Sequence, residues 1–119
     1  MIIKKENIES IKELYLHDMK LLDIKIEYCN HNAMILLCDE PKKKNHRLLF
    51  KHIQSFSIER FEPWGEGVYL SQVTIADANI EEMIKIDEES LVDKNAFLVE
   101  ILINSGDKIK ILSSEVLFE

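Results

Sequence analysis

The chain has 119 residues, 46% hydrophobic and 31% charged, with a formal net charge of −7. That length holds one domain, 1–119, with a core of its own, and leaves no room for a second. The apolar content excludes a disordered polymer, and the negative balance sets the surface against phosphate backbones, so nucleic acid is not an expected partner.

The longest apolar run, about five residues at 33–37, is far short of the ~20 that a membrane span needs. The N-terminus, M-I-I-K-K-E-N-I-E, is charged where a secretory signal has its apolar core. The sequence therefore reads as cytoplasmic, with no membrane contact. Two cysteines, Cys29 and Cys38, fit a reducing compartment and make no disulfide framework.

In chain order, residues 6–15 space Ile8, Ile11 and Tyr15 at helical intervals, with Asn7 as a start cap. One short amphipathic helix is expected, docked by that face. Residues 20–29 then alternate with period two: Leu22, Ile24, Ile26 and Tyr28 on one face, Asp23, Lys25 and Glu27 on the other. N-H-N at 30–32 reads as a three-residue loop with Asn32 left-handed. That loop sets Tyr28 opposite Met34, Ile26 opposite Leu36 and Ile24 opposite Cys38. Ile35 and Leu37 on the other face imply a strand covered on both sides.

Residues 47–59 read as a strand with a bulge near Lys51 and His52, and 68–75 as another. The stretch 77–95 is polar and acidic, with one helical turn at 80–83. A second hairpin closes the chain, its loop N-S-G at 104–106 and Gly106 in the left-handed position of a bulged turn. Ile101 then faces Ile109, Val99 faces Ile111, and Glu100 meets Lys110. The expected fold is mainly β (α+β): one short N-terminal helix packed on an antiparallel, strongly curved sheet or small open barrel of about six strands.

No catalytic pattern emerges. The two cysteines sit about 17–20 Å apart along the hairpin and point to opposite faces, so they share neither a bond nor an ion. His31 and His46 read as solvated, and no zinc-ligand spacing exists; no metal or cofactor is expected. His17 and Asp18 are chain neighbours projecting to opposite sides, without a nucleophile in a G-x-S-x-G context. The basic run P-K-K-K-N-H-R at 41–47 reads as a solvated loop guarding strand ends.

The stretch F-E-P-W-G-E-G-V-Y-L at 61–70 holds the only tryptophan and two of the three glycines. Glu62 and Glu66 flank Trp64 and Gly65, a pair that acid–base chemistry could use, but a glycosidase needs an aromatic-lined cleft that one tryptophan cannot make. The plainer reading is a corner: Pro63 fixes its entry, Gly65 and Gly67 supply positive φ, and Trp64 packs as a lid on the sheet end. If the corner has a use, it is contact, with Trp64 and Tyr69 as anchors. Residues 1–60 carry a net +2 and residues 61–119 a net −9. Within 77–93, Asp77, Glu81, Glu82, Asp87, Glu88, Glu89 and Asp93 face one lysine.

L-H-D-M-K-L-L-D-I at 16–24, L-L-F at 48–50, E-P-W-G at 62–65 and I-N-S-G-D-K-I-K-I at 103–111 resemble a loose family of small uncharacterised bacterial proteins. That family carries a His-Asp near the start, a Trp-Gly turn and a Ser-Gly-Asp hairpin, and some similar proteins are taken to be immunity proteins of toxin systems. Glu66 and Gly67 depart from its pattern, which has a proline or small residue and then serine. The resemblance implies architecture and supplies no catalytic residues.

The sequence as a whole reads as a non-enzymatic protein-binding module for a basic protein partner. Its interaction candidates are Glu62, Trp64, Glu66, Tyr69, Glu81, Glu82, Asp87, Glu88 and Glu89. The resemblance adds toxin neutralisation as its role. Two alternatives stand beside it: a small-ligand carrier or small enzyme with a pocket lined by Tyr28, Phe50, Trp64 and Tyr69, and a structural homodimer in place of a monomer.

Overall fold

The computed structural model describes residues 1–76 and 93–119. Residues 77–92 of the expected acidic stretch, with its helical turn at 80–83 and the candidates Glu81, Glu82, Asp87, Glu88 and Glu89, fall outside the described residues. Among the described residues, no helix is long and apolar enough to cross a membrane.

The fold is mainly antiparallel β, divided into two sheets rather than the one curved sheet or small barrel expected. Nine strands are described in place of about six: β1 (Ile2–Ile3), β2 (Lys20–Glu27), β3 (Asn32–Asp39), β4 (Lys44–Lys51), β5 (Ser55–Glu59), β6 (Leu70–Ala76), β7 (Phe97–Ile103), β8 (Lys108–Ser113) and β9 (Glu115–Phe118). One sheet runs β1-β9-β4-β3-β2 and the other β5-β8-β7-β6. A single apolar cluster joins them: Ile35, Leu37, Leu48, Phe50 and Val116 from the first, Val99, Ile101, Ile109 and Ile111 from the second. Each such fully buried side chain contributes about 1.5–3 kcal/mol.

One extra strand, β1, is a two-residue pairing with β9; the other two, β5 and β9, come from sheet switches that a period-two reading passes over. Residues 47–59 are not one bulged strand. His52 adopts φ 56°, β4 ends at Lys51, and β5 begins at Ser55 in the other sheet. The chain crosses back between β8 and β9. There the buried Ser113 Oγ donates to the Lys51 carbonyl at 2.6 Å and accepts the Glu115 N–H at 3.3 Å, so one hydroxyl fastens both crossings together.

The second hairpin pairs as its sequence predicts: Ile101 with Ile109, Val99 with Ile111, Glu100 with Lys110, and Gly106 at φ 89°. The first does not. Its left-handed residue is His31, not Asn32, and the His31 N–H closes the turn on the Tyr28 carbonyl at 3.2 Å. Ile26 therefore faces Ala33 and Ile24 faces Ile35, an odd shift that turns the other face of β3 inward. Ala33, Ile35 and Leu37 are buried, while Met34, Leu36 and Cys38 are half-buried.

The N-terminal helix is a 3-10 helix, Lys5–Leu14, broken at Asn7. Three residues per turn put i and i+3 on one line, so the inward stripe is Ile8, Ile11 and Leu14. Tyr15, expected inside, sits at φ 51° and is exposed. Asn7 caps the start from inside the helix, not from the N-cap position, which is Lys4: its side chain accepts the Lys4 N–H at 2.7 Å and donates to the Ile2 carbonyl at 3.0 Å, tying the helix to β1.

Three polar expectations change. His17 Nδ1 does approach Asp18 Oδ2, at 3.0 Å, because Asp18 at φ 66° bends the chain out of the extended form. His46 is not solvated: it stacks on Phe118 with centroids 4.9 Å apart, and its buried Nδ1 lacks a hydrogen-bond partner among the described residues. The basic run is only partly loop, since Lys44 to Arg47 open β4 and Arg47 pairs with Glu119. Both cysteines are free thiols.

Candidate protein-binding surface

Two turns distant in sequence meet at one end of the β5-β8-β7-β6 sheet. In the first, Glu62 at φ 48° starts a turn whose Gly65 N–H, at φ 96°, returns to the Glu62 carbonyl at 2.9 Å. The second is the β7–β8 loop, with its Gly106 N–H on the Ile103 carbonyl and the Ile103 N–H on the Asp107 carbonyl, both 2.9 Å. The Trp64 N–H donates to the Ser105 carbonyl at 2.9 Å, and the Glu62 N–H to Asp107 Oδ1 at 2.7 Å. The Asn104 N–H donates to the Tyr69 carbonyl at 2.8 Å, while Asn104 Oδ1 accepts the Tyr69 N–H at 3.3 Å.

Glycine permits the contact. A Cβ on Gly106 would stand 2.6 Å from Pro63 Cγ and 3.0 Å from Trp64 Cδ2. Gly67 lacks the positive φ expected of it and serves close approach instead, since a Cβ there would stand 2.0 Å from Asn104 Oδ1.

Asp107 is the electrostatic centre of this clamp. Burial pushes its carboxyl up, but the Glu62 N–H, the Ser105 side chain, the Phe61 N–H and the Arg60 charge together outweigh that and hold it below the usual range.

The segment that the clamp holds keeps three apolar side chains exposed among its charged ones. Trp64 rests one edge on Gly106 and keeps 67% of its surface exposed, beside Phe61 at 84% and Val68 at 42%. The corner is thus both a structural turn and an outward-facing platform. Beside it, Leu22, Ile58, Val68 and Asp107 line an open hollow of about 300 Å³ between β2 and β5. A second hollow, about 620 Å³, lies between the same strands and is lined by Ile26, Tyr28, Ile53 and Phe56.

The sequence candidates divide. Trp64 and Glu66 are exposed on the platform. The Glu62 carboxylate lies 3.5 Å from Arg60. Tyr69 is not a free anchor: its hydroxyl donates to the Glu40 carboxylate, and its backbone bridges to Lys20. That hydrogen bond first, then burial and nearby charge, hold the hydroxyl above its usual range. The four residues expected to line one pocket are apart: Phe50 is in the core, Trp64 and Tyr28 are exposed at different turns, and Tyr69 is tied to Glu40. Phe61, Ile58, Val68 and Leu22 were not signalled, because apolar residues are expected inside; the flanking of the Pro-Trp-Gly turn by Phe61 and Val68 was the available hint. Among the described residues, no group of three or more His, Cys, Asp or Glu could hold a metal ion.

No protein-family model matches the chain, and no curated protein matches it. Among solved structures it is similar to one described as the crystal structure of an uncharacterized protein from Neisseria gonorrhoeae, with 16% identity and a TM-score of 0.47, over 100% of this chain and 97% of that one.

Proposed function

We propose that the chain is a non-enzymatic protein-binding module of the bacterial cytoplasm, and that its contact surface is the platform of Phe61, Trp64 and Val68. The observation that carries this reading is the exposure of large apolar side chains on a turn whose backbone is clamped from both sides. A loop fixed in advance loses little freedom on binding, and exposed aromatics at such a site are the usual anchors of an interface. Glu62 and Glu66 at its border, with a net charge of −7, favour a basic partner, brought in by charge and held by aromatic burial. The mechanism is occlusion of the partner's basic site. A toxin domain is the partner class that the sequence resemblance suggests.

A photo-crosslinking residue at position 61 would identify the partner in cells, and calorimetry with the purified partner would test it. Trp64→Ala should weaken binding by about 2 kcal/mol or more. Unchanged affinity in both Trp64→Ala and Phe61→Ala would overturn the assignment. The hollow beside Asp107 favours a ligand-carrier reading instead. Reproducible thermal stabilisation by one small molecule, lost in a Leu22→Trp variant, would establish that reading.

A further inference from the structure

The hollow beside Asp107, between β2 and β5, combines apolar walls with an excess of negative charge. Leu22, Ile58 and Val68 on its walls are all exposed. Asp23, Arg60 and Asp107 line it as well. Among the described residues of the lining, Arg60 is the one cation, and the Glu62 carboxylate lies 3.5 Å from it. The carboxylates of Asp23, Glu62 and Asp107 thus stand against a single guanidinium. Asp107 already has its donors, the Glu62 and Phe61 N–H groups. Asp23 is less fully used. Its Oδ1 accepts the Ile24 N–H at 2.9 Å, which fixes the carboxylate at the strand edge, and its Oδ2 has no partner among the described residues.

We propose that this hollow receives an arginine side chain of the basic protein partner, its stem laid along Leu22, Ile58 and Val68 and its guanidinium on Asp23. The proposal rests on the binding role of the Trp64 platform and names what the partner presents beside it. Val68 belongs both to the platform and to the hollow wall, so a partner seated on Trp64 reaches the hollow without a gap. Asp107 joins the two as well, since the carboxylate that clamps the platform turn also lines the hollow. The geometry is therefore set before the partner arrives. Charge selects the occupant: a carboxylate or phosphate would add to the negative excess, whereas a cation relieves it. The walls select the kind of cation. A guanidinium is planar and weakly hydrated, sets two parallel N–H groups on one carboxylate, and brings an aliphatic stem that lies on apolar surface. An ammonium holds its water more strongly. At about 300 Å³ the hollow is at the lower limit of small-molecule pockets, which bury most of their ligand, and it is open. A side chain already held by its own backbone needs no such enclosure.

The test is an NMR titration of the full chain with N-acetyl-arginine amide, read at the backbone amides of Ile24, Ile58 and Val68. Saturable shifts are expected there. N-acetyl-citrulline amide, similar in shape but uncharged, and N-acetyl-lysine amide should each bind about threefold or more weaker. Asp23→Asn should weaken the arginine probe by a similar factor; position 23 is exposed, and the asparagine oxygen still accepts the Ile24 N–H, so the strand edge is kept. The probe reports on the hollow alone, so failure here is separate from failure of the platform, which the partner's affinity for Trp64→Ala reports. Absence of saturable shifts at the three amides overturns the proposal. So does equal binding of the citrulline or lysine probe, or an Asp23→Asn variant that binds arginine undiminished. Free arginine held about tenfold tighter than the capped form would make the hollow a small-molecule site, and overturns it too.

Discussion

Asp107 Oδ1 lies 2.7 Å from the backbone nitrogen of Glu62, across forty-five positions of sequence. Asp107 thereby serves both turns: its backbone carbonyl closes the β7–β8 hairpin on the Ile103 N–H, and its carboxylate clamps the turn that presents Trp64. A buried acceptor with several charge-assisted donors is costly to leave unmade, so the platform's shape depends on this residue.

The stability that Asp107 supplies should fade in acid. Its carboxyl is held below the usual range in the folded chain, so its contribution is full above the ordinary value of about 3.9 and is lost as pH falls through the folded value. Asp107→Asn should lower the melting temperature at neutral pH, and the gap from wild type should narrow below about pH 4. A gap that is constant from neutral pH down to acid would mean that the charge does not matter.

Gly106 and Gly65 offer a controlled comparison. Both have positive φ, 89° and 96°, so alanine strains either backbone by about 1–2 kcal/mol. Gly65 has open space around it, whereas Gly106 faces Pro63 and Trp64. Gly106→Ala should therefore cost about 1 kcal/mol or more beyond Gly65→Ala in urea unfolding, and it alone should shift tryptophan emission as Trp64 is displaced. Equal costs would mean that the two turns are not in contact.

The hairpins show where sequence reading works. Residues 97–112 were legible because a glycine fixed the left-handed position and one register alone matched Ile to Ile and Glu100 to Lys110. Residues 33–37 were not, since A-M-I-L-L has no alternation and either face could turn inward. The break at His52 was hidden for a similar reason: a sheet switch keeps strand-like composition on both sides. At the candidate site, the composition marked the Trp64 corner. Its clamp to Ser105 and Asp107 is a long-range contact that no local pattern encodes, and exposed Phe61 contradicts the usual prior.

The β3 register has its own test. Ile35 is fully buried and Met34 half-buried. Ile35→Asp should abolish folding or cost about 4 kcal/mol or more, since it buries an unpaired charge, while Met34→Asp should leave a folded chain. Circular dichroism in urea separates them. The reverse order would restore the register expected from a three-residue loop.

Phe50 and Phe61 carry the same side chain to opposite fates. Phe50 is fully buried, so Phe50→Ala should cost about 3–5 kcal/mol in urea unfolding. Phe61 is mostly exposed, so Phe61→Ala should stay within about 0.5 kcal/mol of wild type. Folding gains little from an aromatic held out in water, which is what the proposed contact role of Phe61 requires. A large loss of stability in Phe61→Ala would show that the side chain serves the fold, and the case for the platform would then rest on Trp64 alone.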